Sequence, residues 1–220
     1  MKIIRITLYF VCFVLIFICS PANLNGATLV VTGITDTTDG TCDMNCSLRD
    51  AISAASDGDT ITFGTQFNSP TTITLLQGQI LIAKSLTIAG PGSNTLTISG
   101  NNAGRIFRIS DGANVSLSGM TLRDGRIGAN ANDVFGGGIW VTDSTLTLTN
   151  MVLQNNTARF SSTNPTITIG YGGAIALYNS VLSVTTSRIS NNSGERFGGI
   201  YSTSGIVSIV SSTIASNTGI

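Results

Sequence analysis

The sequence has no histidine and few charged residues, and both absences exclude functions. Histidine is the most versatile general base and a common metal ligand, and none occurs in the 220 residues. Charged residues make up only 10% of the chain, with eleven basic side chains against eleven acidic ones. The balance gives no general attraction for nucleic acid or anionic membrane surfaces. A catalytic base, if present, would be Asp, Arg, Lys84 or Tyr.

The N-terminus carries the one long apolar run. Lys2 and Arg5 precede a run from Leu8 to Ile18, and small residues follow up to Ala22. The run is short for a bilayer, and no basic flank follows it, which disfavours the alternative of a lone membrane helix. Residues 1–22 are therefore predicted to be a signal peptide, and the mature chain is predicted to have no transmembrane span.

Only two of the four cysteines remain after signal cleavage. Cys12 and Cys19 leave with the signal, whereas Cys42 and Cys46 stay. Two thiols are too few for a structural zinc site, and no histidine is present to complete one. In an oxidising compartment, Cys42 and Cys46 are a candidate disulfide, provided that their Cα atoms lie within about 7 Å of each other.

The chain is rich in internal repetition. A cassette of fixed spacing begins at Ile139, Ile175 and Ile200, each after a glycine pair, and continues with two aliphatic positions and an Asn. Its apolar residues alternate with Ser and Thr, which indicates short strands with one buried face. Such strands cannot bury that face alone, so each coil needs a coil above and below it. The sequence predicts an all-β solenoid of five or six coils over residues 65–220, truncated at its C-terminus.

The recurring Asn residues are interpreted as scaffold. They fall where a strand must end and turn, and Asn tolerates the left-handed backbone conformation. Stacked Asn side chains also hydrogen-bond in ladders. We expect a structural ladder of Asn156, Asn192 and Asn217, with the glycine pairs at corners where a Cβ atom would clash. Upstream, the pattern weakens and Gly125 replaces the Asn.

A short helix is predicted just after Cys46. Ser47 and Asp50 form a capping-box signal. The helix would present one apolar face, and this face would cap the first coil. The residues of that face are Leu48, Ala51, Ile52 and Ala55.

These residues also carry a family resemblance. The run Cys46-Ser47-Leu48-Arg49-Asp50-Ala51-Ile52 resembles the CSLREA domain of exported bacterial proteins, although that family usually has Glu where this chain has Asp50. The resemblance implies a cap region over residues 23–64 followed by a right-handed parallel β-helix. The repeats are similar to those of polymorphic outer membrane proteins: the GGAI signature occurs at Gly172 to Ile175, and the FxxN signature occurs with an aliphatic residue in place of Phe.

Two groups of charged residues are weaker site candidates. Asp36, Asp39 and Asp43 offer carboxylates for a Ca²⁺ site, although a polar turn explains them as well. A second group lies on consecutive early coils, where an acid–base site of a carbohydrate-active enzyme would need paired carboxylates or a base beside Arg. That group comprises Arg105, Arg108, Arg123, Asp124 and Arg126.

The function expected from the resemblance is adhesion. Such proteins are secreted or displayed at the outer membrane or cell surface, and most have no established reaction. We expect an interaction module for an extracellular glycan or protein surface, with a secreted lyase-like or hydrolase-like β-helix enzyme as the alternative. Recognition would lie in the variable loops between cassettes, where Phe160 and Tyr171 either contact a partner or pack beneath the loop.

Overall fold

The protein is a parallel β-solenoid of about six turns, and its described residues include one short α-helix. The computed structural model describes residues 26–127, 134–159 and 169–219. Within these ranges every strand pair is parallel, which confirms the predicted fold class. The predicted signal peptide lies outside the described residues.

The strands are short, as the sequence pattern predicts. A helix α1 (Leu48–Ala54) follows the first strand, and a 3-10 turn spans Thr65–Phe67. The strands are β1 (Thr28–Val31), β2 (Asp59–Phe63), β3 (Thr71–Thr74), β4 (Ile80–Ile82), β5 (Leu86–Ala89), β6 (Leu96–Ser99), β7 (Phe107–Ile109), β8 (Asn114–Ser118), β9 (Thr121–Arg123), β10 (Ile139–Thr142), β11 (Thr145–Thr149), β12 (Val152–Gln154), β13 (Thr157–Ala158), β14 (Ile175–Tyr178), β15 (Val181–Thr185), β16 (Arg188–Ser190), β17 (Ser193–Gly194), β18 (Ile200–Thr203), β19 (Ile206–Val210), β20 (Thr213–Ala215) and β21 (Thr218–Gly219).

Successive coils contribute strands to the same three large sheets, which form the walls of the solenoid. The first sheet has the order β1-β2-β5-β8-β11-β15-β19, and the second has the order β3-β6-β9-β12-β16-β20. The third sheet has the order β4-β7-β10-β14-β18, and a small fourth sheet, β13-β17-β21, forms in the later coils. The first sheet continues from β1 and β2 into the repeats, so the cap region and the repeats share one wall.

The strand register explains the cassette. Ile139, Ile175 and Ile200 pair with one another across the third sheet, and the later cassette positions pair in the same way. One coil earlier, Phe107 takes the place of the cassette Ile. Asn114 lies seven residues after Phe107, whereas its partner Thr145 lies six residues after Ile139, so the earlier coil contains one extra residue and the upstream spacing differs.

The inward side chains of the three large sheets form one continuous apolar core. Leu146, Leu148 and Leu153 are fully buried, as are their counterparts in neighbouring coils. Burying each such side chain stabilises the fold by about 1.5–3 kcal/mol. Helix α1 extends this core at the first coil, because Leu48, Ala51, Ile52 and Ala55 are buried and Ser47 with Asp50 forms the capping box.

The three cassette Asn side chains form a hydrogen-bonded column. The Asn192 Oδ1 atom accepts from the Asn156 backbone N–H at 2.9 Å and from the Asn156 side chain at 3.0 Å. Asn217 Oδ1 accepts from Asn192 in the same two ways. Each Nδ2 also donates to a backbone carbonyl of the preceding coil. Asn156 and Asn192 are fully buried, so these amides satisfy backbone groups at a corner that water does not reach.

The left-handed residue of this corner is not the ladder Asn. Positive φ angles occur one residue earlier, at Asn155, Asn191 and Ser216, with φ of 56°, 58° and 54°. The prediction placed the hydrogen-bond ladder and the left-handed turn on one residue, and in this respect it was wrong. A fully buried side chain that reaches the next coil occupies one position, and the residue before it makes the turn.

Close backbone approach accounts for the glycines at these corners. A Cβ atom at Gly173 would lie 2.4 Å from the carbonyl oxygens of Ser193 and Gly198. At Gly125 it would lie 2.4 Å from the Gly137 carbonyl oxygen, which explains why the Asn column ends there. The Gly125 N–H instead donates to Asn156 Oδ1 at 2.8 Å.

The aliphatic side chains of the last described coil are more exposed than those of the coil before it. Val207 and Ile209 of β19 are 36% and 43% exposed, whereas Leu182 and Val184 of β15, with which they pair, are fully buried. Among the residues that the structure describes, no helix has the length and apolar character needed to cross a membrane.

The Asn column gives a direct stability test. We expect Asn192→Ala to lower the free energy of unfolding by about 3 kcal/mol or more, because it leaves several buried donors and acceptors unpaired. Asn114→Ala is the control, since Asn114 is an exposed strand residue, and it should change stability by less than about 0.5 kcal/mol. Urea unfolding followed by circular dichroism measures both; equal stability of the two variants would show that the column contributes nothing.

Candidate ligand-binding site

Five aromatic rings form a cluster at the junction between the third sheet and the segments that precede it. Neighbouring ring centroids lie 4.7–6.1 Å apart, within the range of stacked and tilted aromatic pairs. The aromatic cluster comprises Phe135, Trp140, Tyr171, Phe197 and Tyr201. None of these five rings is a fully buried member of the solenoid core.

The parallel register brings these rings together. Trp140 pairs with Ala176 and Ala176 pairs with Tyr201, so the two large rings stand on either side of a small residue. Successive strands lie about 4.8 Å apart, which separates Trp140 from Tyr201 by about two such steps. Phe135 occupies the space over Ala176, because its ring stacks on both Trp140 and Tyr201.

A mainly apolar pocket of about 290 Å³ opens beside this cluster. Phe135, Trp140 and Tyr201 line one part of it, and the 55%-exposed Tyr178 lines another. Its polar groups include the hydroxyl groups of Thr142, Tyr178 and Thr203. The Thr203 hydroxyl donates to the Tyr201 hydroxyl at 2.6 Å, which fixes the orientation of that ring. We call this the aromatic pocket.

Two arginine side chains lie against the Trp140 ring. The Arg105 guanidinium carbon lies 5.0 Å from the Trp140 ring centroid, and that of Arg108 lies 4.6 Å away, within cation–π distance. Arg105 is 5% exposed and also donates to the backbone carbonyls of Phe135 and Gly136. It therefore fixes the segment that carries Phe135. Arg108 Nε is buried and has no hydrogen-bond partner in the part of the chain that the structure describes.

The candidate calcium ligands have other partners. Asp36 accepts from the Arg49 side chain at 2.9 and 3.1 Å and from the backbone N–H groups of Leu76 and Gln77 at 2.7 and 2.8 Å. Asp39 accepts from Thr41, and Asp43 accepts from the Asn45 N–H. Within the described ranges, no three His, Cys, Asp or Glu side chains are grouped so that they could hold a metal ion.

The same region contains the disulfide and a buried carboxylate. Cys42 and Cys46 are joined, with their Cα atoms 4.4 Å apart. Asp50 is 2% exposed and accepts from the backbone N–H groups of Asp39 and Gly40 as well as from the Ser47 hydroxyl. Asp36 and Asp50 thus connect the N-terminal loop to the helix and to the next coil.

The early arginines do not converge on one site. Arg105 and Arg108 contact Trp140 on the third sheet, whereas Arg123 belongs to the second sheet and pairs with Asp124 at 3.0 Å. Arg126 forms an isolated bridge with Thr157. Of the two loop aromatics, Tyr171 belongs to the aromatic cluster, and Phe160 lies outside the described residues.

None of the residues that line the aromatic pocket was predicted from the sequence as a binding residue. Trp140 and Tyr201 directly follow the cassette Ile, and strand alternation makes that position face outward. Their shared phase was therefore a usable signal. Comparison of the chain with protein-family models, with curated proteins and with solved structures finds no match.

The carboxylates of the cap predict a dependence of stability on pH. Burial alone raises the pKa of Asp36, but hydrogen bonds from the Arg49 side chain and from the Gln77 and Leu76 N–H groups outweigh it and lower the pKa. The pKa of Asp50 is likewise lowered, since the Ser47, Gly40 and Asp39 hydrogen bonds outweigh burial. A lowered folded-state pKa means that the unfolded chain binds more protons, so stability is complete above about pH 4 and is lost as pH falls through the folded-state value.

Asp36→Asn should therefore make the free energy of unfolding less dependent on pH in the acidic range. We expect it to lower the free energy of unfolding by about 1–3 kcal/mol at pH 7, because the Arg49 pair loses its charge. The loss between about pH 5 and pH 2 should then be smaller than in the wild type. Urea unfolding across this pH range is the measurement, and Asp111→Asn, at an exposed turn, is the control. If the Asp36 variant lost as much stability as the wild type over this pH range, Asp36 would not be a source of the pH dependence.

Proposed function

We propose that this protein is an exported or cell-surface interaction module that binds a glycan at the aromatic pocket. The observation that carries the proposal is the aromatic cluster with its open pocket, built from rings that the solenoid core does not use. Elsewhere, outward strand positions carry mostly Ser and Thr, as in β8, β11 and β15. Partly exposed aromatic groups in one place are typical of binding surfaces.

The chemistry of the pocket suits a sugar. A pyranose ring has apolar C–H faces that pack on aromatic side chains and hydroxyl groups at its edge that need hydrogen-bond partners. The pocket supplies aromatic walls together with the hydroxyl groups of Thr142, Tyr178 and Thr203. Its volume is close to the lower end of the range for small-ligand sites, which suits one unit of a glycan.

Three features support export as part of the proposal. The first is the predicted signal peptide over residues 1–22, and the second is the resemblance of the helix region to the CSLREA domain. The third is the bonded pair Cys42–Cys46, because disulfides persist in oxidising compartments.

Loss of one pocket wall should weaken glycan binding. We expect Tyr178→Ser to reduce affinity about tenfold, as is typical when an aromatic contact residue is removed. Leu81→Ser is the matched control, because Leu81 is 52% exposed and lies on the same sheet but does not line the pocket. Trp140 is the only tryptophan, so its fluorescence reports binding at this site directly.

The ligand for this titration comes from an array of neutral and acidic oligosaccharides. The proposal expects a bound oligosaccharide that changes Trp140 emission and depends on Tyr178 but not on Leu81. Absence of binding across the array, or equal loss in both variants, would contradict glycan recognition at this pocket. Release of new reducing ends from a bound oligosaccharide would instead assign the chain to carbohydrate-active enzymes.

Substitution of Phe197 is expected to affect stability and glycan binding in different directions. Its φ is +59°, at the corner where Gly136 and Gly172 occupy the two preceding coils. A side chain in the left-handed region costs about 1–2 kcal/mol, and the 53%-exposed Phe197 ring recovers contact mainly with Tyr201, at 5.4 Å. We expect Phe197→Gly to keep or raise stability, by up to about 1 kcal/mol. The same change should weaken glycan binding, because it removes the ring that packs on Tyr201, which lines the pocket. Thermal unfolding and Trp140 titration test both parts; a large drop in stability would make Phe197 a packing residue.

A further inference from the structure

We propose that the outer face of the second sheet binds an acidic polysaccharide, at a site separate from the aromatic pocket. A polar trough of about 610 Å³ crosses four adjacent strands, β6, β9, β12 and β16. Four strands extend about 14 Å along the solenoid axis. A trough along this axis can hold an extended chain across several coils.

Two arginines give the trough its charge. Arg123 and Arg188 both line it, on strands that are two coil steps apart, and none of its described lining residues is Asp or Glu. Asp124 pairs with Arg123 Nη1 at 3.0 Å, and the Arg123 side chain remains 41% exposed in this pair. The Arg188 Nε–H donates to the Ser190 hydroxyl at 3.0 Å, which orients the guanidinium. Among the described residues, its two terminal nitrogens have no hydrogen-bond partner, so they can face a ligand. The fork of an arginine matches the two oxygens of a carboxylate or sulfate.

The groups between the two arginines match a sugar. Val152 pairs with Thr121 on one side and with Arg188 on the other. One apolar side chain therefore lies next to the Arg188 side chain on the outer face of the sheet. Gln154 pairs with Arg123 in the neighbouring column and presents a partly exposed amide. Thr97 adds a hydroxyl at one end. Hydroxyl, amide and apolar groups beside two cations are complementary to a polyhydroxylated chain with anionic substituents, whereas a simple anion needs only the cations.

The test uses defined polymers and the full mature chain. Wild-type protein is titrated with polygalacturonate, dextran sulfate and uncharged dextran by biolayer interferometry, at low and at high salt. We expect binding of an acidic polymer that weakens as salt screens the charges, and no binding of dextran. Binding of polygalacturonate alone assigns a carboxylate ligand, and binding of dextran sulfate alone assigns a sulfate ligand.

Variants locate the site. Arg123→Gln and Arg188→Gln should each weaken binding by about tenfold or more, and Arg196→Gln should not, although it makes the same change of charge at an exposed corner. Tyr178→Ser should leave this binding intact, and the acidic polymer should not change Trp140 emission. This separates failure of the trough from failure of the aromatic pocket. Equal loss in the Arg196 variant, equal binding of poly-glutamate, or no binding of either acidic polymer would overturn the proposal.

Discussion

In-register pairing between successive coils is the constraint on which the rest of the structure depends. Each strand is too short to bury its apolar side alone, so a coil is stable only when its neighbours satisfy its backbone and cover its aliphatic residues. The pairing of Leu146 with Val115 and Leu182 shows this inside the solenoid. The same register also aligns outward side chains in columns. The aromatic cluster and the trough of the second sheet are therefore products of the ladder that builds the core.

The corners impose the second constraint. A chain that turns between sheets leaves backbone donors and acceptors where strand pairing stops, and the buried ones require partners. The Asn column supplies these partners, whereas the residue before each Asn adopts the left-handed conformation and glycine admits the neighbouring backbone. The glycines stand at the start of each cassette and lie against the Asn side chains in space. These positions thus solve three different problems of geometry, which explains why the cassette keeps its spacing while the segments between cassettes vary in length.

The sequence predicted the solenoid and its cassette register because both follow from local periodicity. A period of two identifies strands, and a fixed cassette identifies the coil, even where a one-residue insertion shifts the phase before β8. The meeting of rings from different coils could not be read in the same way. Phe135 and Tyr171 reach Trp140 and Tyr201 through turns whose geometry the sequence does not specify. The three aspartates Asp36, Asp39 and Asp43 show the reverse case, in which residues that are close in sequence do not form a site. Their carboxylates do not come together, because Asp36 accepts hydrogen bonds from Arg49 and from the next coil.

The location of the proposed sites changes the expectation about where recognition resides. Variable loops between cassettes were the natural candidates, because they are free to change without affecting the core. Yet Trp140, Tyr178, Arg123 and Arg188 all lie on strands, at outward positions whose backbone is fixed by pairing on both sides. An outward strand residue is equally free to change, since the core does not contact it, and it is held more rigidly than a loop residue. A solenoid can therefore place ligand-binding groups inside its most regular segments, and rigid placement limits the entropy that such groups lose when a flexible glycan binds.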